Sequence, residues 1–352
     1  MNRQKLSFIL VSLVFVSSFC FAITVLPENA RATTLFVGGG GPSNYTTIQM
    51  AVADAQPGDT IYIYSGTYSG QVKINKTVSL VGENRDTTSI TATTSNGTVR
   101  IEANWVNISE LTINGFGMGF ETGLILHSAH NCTIKDNDIN GETGFAITNS
   151  NDNRIINNSI YGYYGALGIG SSHNNYFFNN SVYGMKSYGI MMSYSNNTVF
   201  INNEIHNSSS GMTIFGSRNA SITYNRILNN TYQGLRIEHS SYFKITDNIL
   251  DGGGIYMEGD SLEHWNTHII EPSNTINGRP VIYWKNVTGG TVVTDSGEVI
   301  LANCTGVEVK NQMVNQGDVG VLLGFSNENI ISNNNVSKVW WRTASTTYGI
   351  ML

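Results

Sequence analysis

The chain has 352 residues, 40% of them hydrophobic and 12% charged, with a formal net charge of -6 and a pI near 5.6. That hydrophobic share excludes a disordered chain, and the acidic balance with scattered Lys and Arg excludes the basic stripe of a nucleic-acid binder. The 43 asparagines nearly equal all charged residues together and accompany 37 glycines, so the sequence is rich in the two residues that tolerate left-handed turns.

At the start, Arg3 and Lys5 precede an apolar run over residues 6–26, and Ala30-Arg31-Ala32 supplies a small-x-small cleavage site. This predicts a secretory signal peptide over 1–32, which left uncleaved would be the chain's membrane anchor. About fourteen Asn-x-Ser/Thr triplets, among them Asn44, Asn157 and Asn286, agree with export, although an Asn-rich chain also makes them by chance. Residues 46–55 (TTIQMAVADA) carry Ile48, Ala51, Val52 and Ala55 at helical spacing before Pro57-Gly58. They predict one short amphipathic helix that covers the first of the strands, 60–64 and 73–81.

Further on, an Asn-x-Ile/Val element recurs at Asn137, Asn158, Asn180, Asn203, Asn225 and Asn248, a period of about 22 residues. Before each anchor come two alternating apolar residues, as in Leu124 and Leu126, Phe145 and Ile147, or Ile190 and Met192. A small residue follows (Ala129, Ser150, Ser172, Ser195, Ser217, Ser240), then an Asn/Asp column (Asn131, Asp152, Asn174, Asn197, Asn219). The anchor Asn then separates a second apolar pair such as Ile134 and Ile139. Period-two alternation marks strands with one buried face, and units this short cannot bury their apolar residues alone. Stacking them as a parallel β-helix, about 4.8 Å per coil, places Ile and Leu inside and lets turn Asn pass amide hydrogen bonds from coil to coil.

The expected fold is therefore all-β, a right-handed parallel β-helix with a short N-terminal capping helix. A single domain is expected over 33–352: regular coils at 123–250, irregular coils at 251–310 and further coils at 311–352, the last beginning at Gly349 and stopping mid-coil. Cys132 and Cys304, about eight coils and hence about 38 Å apart, are expected to be free thiols.

Three segments carry a family resemblance: residues 45–68 (YTTIQMAVADAQPGDTIYIYSGTY) with the following 78–82, residues 274–283 (NTINGRPVIY), and the repeat over 123–250. They resemble the right-handed parallel β-helix superfamily of pectin-lyase type. Within it they are most similar to the NosD-like branch, the carbohydrate-binding and sugar-hydrolysis family common on archaeal cell surfaces. The resemblance implies the fold. The superfamily includes lyases, hydrolases and adhesins, so it does not choose an activity.

The stacking frame assigns outward columns, including Ile125, Ala146, Gly168, Met191, Thr213, Arg236 and Tyr256, and beside it a column that ends in Glu238 and Glu258. Two carboxylates on adjacent coils, about 5 Å apart, could act as an acid/base or retaining pair, with Asp260 close by. Arg236 beside them would either bind an acidic sugar or neutralise Glu238, and a solvated ion pair fits the same residues. Residues 258–268 form the densest polar cluster of the chain, where Tyr256 and His264 would contact a ligand and Trp265 and Trp284 would stack on sugar rings. A copper site needs clustered Met, Cys and His, and the sequence offers neither His-x-His nor Met-x-x-Met, so no metal or other cofactor is expected. Asp136 and Asp138 are more simply turn residues than a calcium site.

Three functions remain. The first is a non-catalytic exported or cell-surface protein that binds extracellular polysaccharide or a cell-envelope protein. The second is a polysaccharide-active hydrolase or lyase using Glu238, Glu258 and Asp260. The third is a NosD-like copper accessory protein.

Overall fold

The computed structural model describes residues 32–92, 96–115, 121–184, 186–292, 295–315, 319–337 and 348–352. The expected signal peptide lies outside the described residues except for Ala32.

Each coil contributes three strands to three parallel rows. The first row holds Val72–Ile74, Val99–Ile101, Thr122–His127 and their successors as far as Ile255–Glu258. The second row has eleven strands, from Thr34–Val37 to Ile269–Ile270. The third runs from Gly66–Ser69 to Thr275–Ile276. Register is kept along each row, because a one-residue slip would turn every inward side chain out to solvent, and the shift between Gly141 and Thr143 falls where the chain passes from the third row to the first. Leu124, Phe145, Leu167, Ile190, Met212, Leu235 and Ile255 thus form one column, and each is at most 1% exposed. The expected continuous strand over 73–81 is instead two, Val72–Ile74 and Ser79–Gly82, because the chain turns a corner between the first and second rows.

The capping helix α1, Ile48–Asp54, starts where the Thr47 hydroxyl accepts the Met50 N–H at 3.3 Å. It buries Ile48, Ala51 and Val52 in the main core, closing the N-terminal end of the stack.

The turns divide their work between adjacent residues. The anchor asparagines are not themselves left-handed: the preceding residues are (Asp136, Asn157, Asn179, Asn202, Tyr224, Asp247), with φ between 55° and 59°. The anchors sit inside. Asn180 Oδ1 accepts the Asn158 N–H at 3.0 Å and its Nδ2–H at 3.1 Å, while Asn180 Nδ2 donates to Ile155 O and Asn203 Oδ1, both at 2.9 Å. The ladder runs from Asn137 to Asn274, satisfying buried amides that the corner leaves without strand partners. Ser150, Ser172, Ser195, Ser217 and Ser240 do the same at the preceding corner.

The stack changes at 275–285. Asn277 and Gly278, at φ 51° and 80°, reverse the chain into an antiparallel hairpin in which Thr275 pairs with Pro280 and Ile276 with Arg279. Strands Glu298–Ala302, Val319–Gly324 and Tyr348–Met351 then add parallel to Arg279–Lys285. Strands Glu298–Ala302 and Val319–Gly324 are buried on both faces. Ile300 and Leu322 join the main core, whereas Val299, Leu301, Val321 and Leu323 build a second core with Cys304, Val307 and Val309. The first and second rows end before the joint, at Ile255–Glu258 and Ile269–Ile270, and only the third is bonded to the new sheet, through the hairpin; smaller sheets accompany it, Thr291–Val292 with Glu308–Lys310 and Ile330–Ser332, and Met313–Asn315 with Asn335–Ser337. Cys132 and Cys304 are both buried and free, and burial raises the Cys132 thiol to about 11.

Candidate functional site

The in-register pairing of the first row creates the outward columns. Ile125, Ala146, Gly168, Met191, Thr213, Arg236 and Tyr256 lie in line, with His127, Thr148, Gly170, Ser193, Phe215, Glu238 and Glu258 beside them. The C-terminal end of this face gathers the chemistry. Arg236 bonds to Glu238 and lies 3.5 Å from Glu258 Oε2, so one guanidinium is shared by both carboxylates and offsets only one of their two charges. It also sits 5.1 Å from the centroid of the Tyr256 ring. The Tyr256 hydroxyl donates to Glu258 Oε2 at 3.1 Å, and burial together with the Glu258 charge pushes its pKa up to about 12. The Tyr256 proton therefore stays in place at any physiological pH. Each group of this quartet is held by another.

The neighbouring segment divides. Asp260 is exposed and stands 3.4 Å from His264 Nδ1, apart from the carboxylate pair's guanidinium. Trp265, expected to stack on a sugar, turns inward: it is 6% exposed, its Nε1–H donates to Gly259 O at 2.8 Å, and the Tyr283 hydroxyl donates to its carbonyl. Its ring lies against Gly324 of the second stack so closely that a Cβ there would overlap it. Trp265 thus fills the joint between the two stacks, a need that the repeat pattern could not show. Trp284 is half-buried against the second core, so its ring is only partly open to a ligand. His268, fully buried, stands in the column that holds Asn153 and Asn175 in two earlier coils: its Nδ1 accepts the Phe243 N–H at 3.2 Å, as Asn153 Oδ1 accepts from Cys132 N–H. Its other nitrogen donates to His264 O at 2.9 Å, and desolvation lowers its pKa to about 4, keeping it neutral.

Among the described residues, no three His, Cys, Asp or Glu side chains converge as a metal site would require. No described helix is long and apolar enough to cross a membrane. Two depressions lie elsewhere, about 380 Å³ beneath α1 and about 490 Å³ beside Arg85, Glu110 and Asp136; the second is also lined by Ser181, whose hydroxyl is 3.3 Å from His206 Nε2.

Apart from His264, the sequence pattern did not single out the aromatic residues at the edge between the first and second rows as ligand contacts. Tyr194, Phe215, His239 and His264 form a continuous ladder with ring centroids 5.3, 5.4 and 5.5 Å apart. Next to it, Arg218 lies 5.0 Å from the Tyr242 ring centroid and bonds to Glu263. The signal was available: at Tyr194 and Tyr242 an aromatic replaces the Asn or Ser of the turn column.

A family model described as "Right handed beta helix region" matches residues 96–250 and, overlapping them, 165–306, together more than half of the chain. The chain belongs to this right-handed β-helix family. Among solved structures, it is similar to a DFA-IIIase from Arthrobacter chlorophenolicus A6, at 14% identity and TM-score 0.55, over 88% of this chain and 99% of the other. The catalytic domain of a GH87 alpha-1,3-glucanase, in complex with nigerose, aligns at 14% identity and TM-score 0.55 over 91% and 68% of the two chains. The enzymatically active domain of bacteriophage CBA120 tailspike protein 2 aligns at 11% and TM-score 0.52 over 86% and 47%. At these identities the likeness concerns the β-helix fold. No curated protein matches the sequence.

Proposed function

We propose that this β-helix is an exported, cell-surface protein that binds extracellular glycan chains on the C-terminal part of its first-row face without cleaving them. The observation that carries this is Arg236. A general acid/base or retaining pair needs two carboxylates with separate roles, one of them free to exchange a proton with substrate. Here one guanidinium holds both Glu238 and Glu258, and Tyr256 donates to the same Glu258 Oε2 that faces the guanidinium. The outer oxygens of such a pinned pair still accept hydrogen bonds from sugar hydroxyls, and the phenol ring adds an apolar surface. Export rests on the N-terminal pattern at 1–32, and assignment to the NosD-like, archaeal surface branch on the motifs at 45–68 and 274–283.

Soluble polysaccharides should retard the protein in affinity electrophoresis, with neither new reducing ends nor unsaturated products. Arg236→Gln should weaken retention, because it releases the carboxylates it holds. Turnover that Glu238→Gln abolishes would replace this reading with that of a hydrolase or lyase.

A further inference from the structure

The left-handed corner residues carry a signal that the fold does not need. At the first corner Ser128, Asn149 and Ser171 are followed by Tyr194, Gly216 and His239; at the second, Asn131, Asp152, Asn174, Asn197 and Asn219 are followed by Tyr242. Tyr194 and Tyr242, at φ 49° and 62°, adopt a backbone that Asn tolerates locally and bulky side chains avoid. Burial does not compensate for this, since Tyr194 remains 59% and Tyr242 47% exposed. Strain of this kind in an exposed aromatic residue points to a surface use of the ring. Gly216 supports the same conclusion. A Cβ added there would stand 2.8 Å from the Tyr194 ring, so the glycine admits that ring close against the next coil while much of it stays in solvent.

The edge is continuous with the face described above, because Phe215 shares a column with Glu238 and Glu258. Its charge is specific. Two guanidinium groups, Arg218 and Arg236, face four carboxylates, Glu238, Glu258, Asp260 and Glu263, and each arginine is already paired. A polyuronate or sulfated chain would meet net repulsion here, whereas a neutral sugar meets ring faces and hydrogen-bond acceptors for its hydroxyls.

We infer that the ligand of this strip is a neutral glycan, stacked on Tyr194, Phe215 and Tyr242 and hydrogen-bonded by the paired carboxylates of Glu238, Glu258 and Glu263. The inference rests on the glycan-binding function proposed above and adds the ligand class and the residues that select it. The test is affinity electrophoresis of the full chain against dextran, mixed-linkage β-glucan and galactomannan on one side and polygalacturonate and alginate on the other, with Tyr194→Asn in parallel. The neutral polymers should retard the protein and the acidic ones should not. Tyr194→Asn should weaken retention about tenfold, the loss of roughly one stacked ring, without lowering Tm. Retention by the acidic polymers alone would overturn the neutral class while leaving glycan binding intact. Absence of retention by both groups would remove glycan binding and this inference with it. Unchanged retention in Tyr194→Asn, or a Tm lowered by several degrees, would make the ring a structural element and overturn its role.

Discussion

In two of the coils over 123–250, the buried N–H at the second corner is received by an Asn of the next coil, Cys132 N–H by Asn153 and Asn153 N–H by Asn175, whereas the later coils place Thr198, Ala220 and Phe243 in that column. At the joint that follows, Phe243 N–H is received by a histidine nitrogen, that of His268. Both arrangements satisfy the same backbone group, and the stack continues through both. The amide is indifferent to pH. The imidazole accepts only while neutral, so the joint depends on protonation in a way the regular coils do not. Where a side chain receives the corner N–H, the choice of acceptor sets the pH range over which that contact holds.

The largest effect should come from breaking the regular arrangement. Asn180→Ala leaves the Asn158 N–H and the Ile155 carbonyl buried without the partners they now have. With each orphaned group costing about 1–3 kcal/mol, a loss of about 3 kcal/mol is expected in the urea unfolding curve. A loss below about 1 kcal/mol would mean that water replaces the amide and that the ladder matters little.

A comparable but conditional effect is expected at His268. Its folded pKa of about 4 lies below the ordinary value of 6.5, so between those pH values the unfolded chain binds the proton more readily than the folded one. Its contribution to stability is therefore complete above about pH 6.5 and lost progressively as the pH falls toward 4, up to about 3 kcal/mol. His268→Asn, which installs the acceptor found at Asn153 and Asn175, should flatten that slope in denaturation series between pH 4 and 7. An unchanged slope would place the pH dependence elsewhere.

The smallest effect sharpens the contrast among the corners. Tyr224 is left-handed, at φ 59°, and 61% exposed, but it belongs to the corner between the second and third rows, away from the proposed glycan strip. Tyr224→Asn should raise stability by about 1 kcal/mol through relief of strain and leave glycan retention unchanged. Weakened retention would extend the binding surface around the solenoid.

Much of the fold was legible because a β-helix writes its geometry into columns. The apolar pairs from Leu124 to Leu250 named the interior, and the same spacing placed Glu238 beside Glu258 from the repeat alone. The division of labour at the corners was less legible, since Asn157 and Asn158 look alike in sequence, and only the backbone shows that one takes the left-handed turn and the other fills the ladder. Trp265 misled for a related reason: an aromatic residue in a polar segment suits a sugar platform as well as a plug, and burial decides between them.

The sequence alone determined the period, the inward and outward faces and the position of the charged cluster, because these follow from local alternation and from repetition at a constant interval. The tertiary structure decided what those residues do to one another. The Asn277-Gly278 reversal brings the second stack's sheet against the main core, which buries Trp265, and the pairing of neighbouring coils lets Arg236 hold Glu238 and Glu258 together. Those contacts depend on the path of the chain between coils, which no local pattern records.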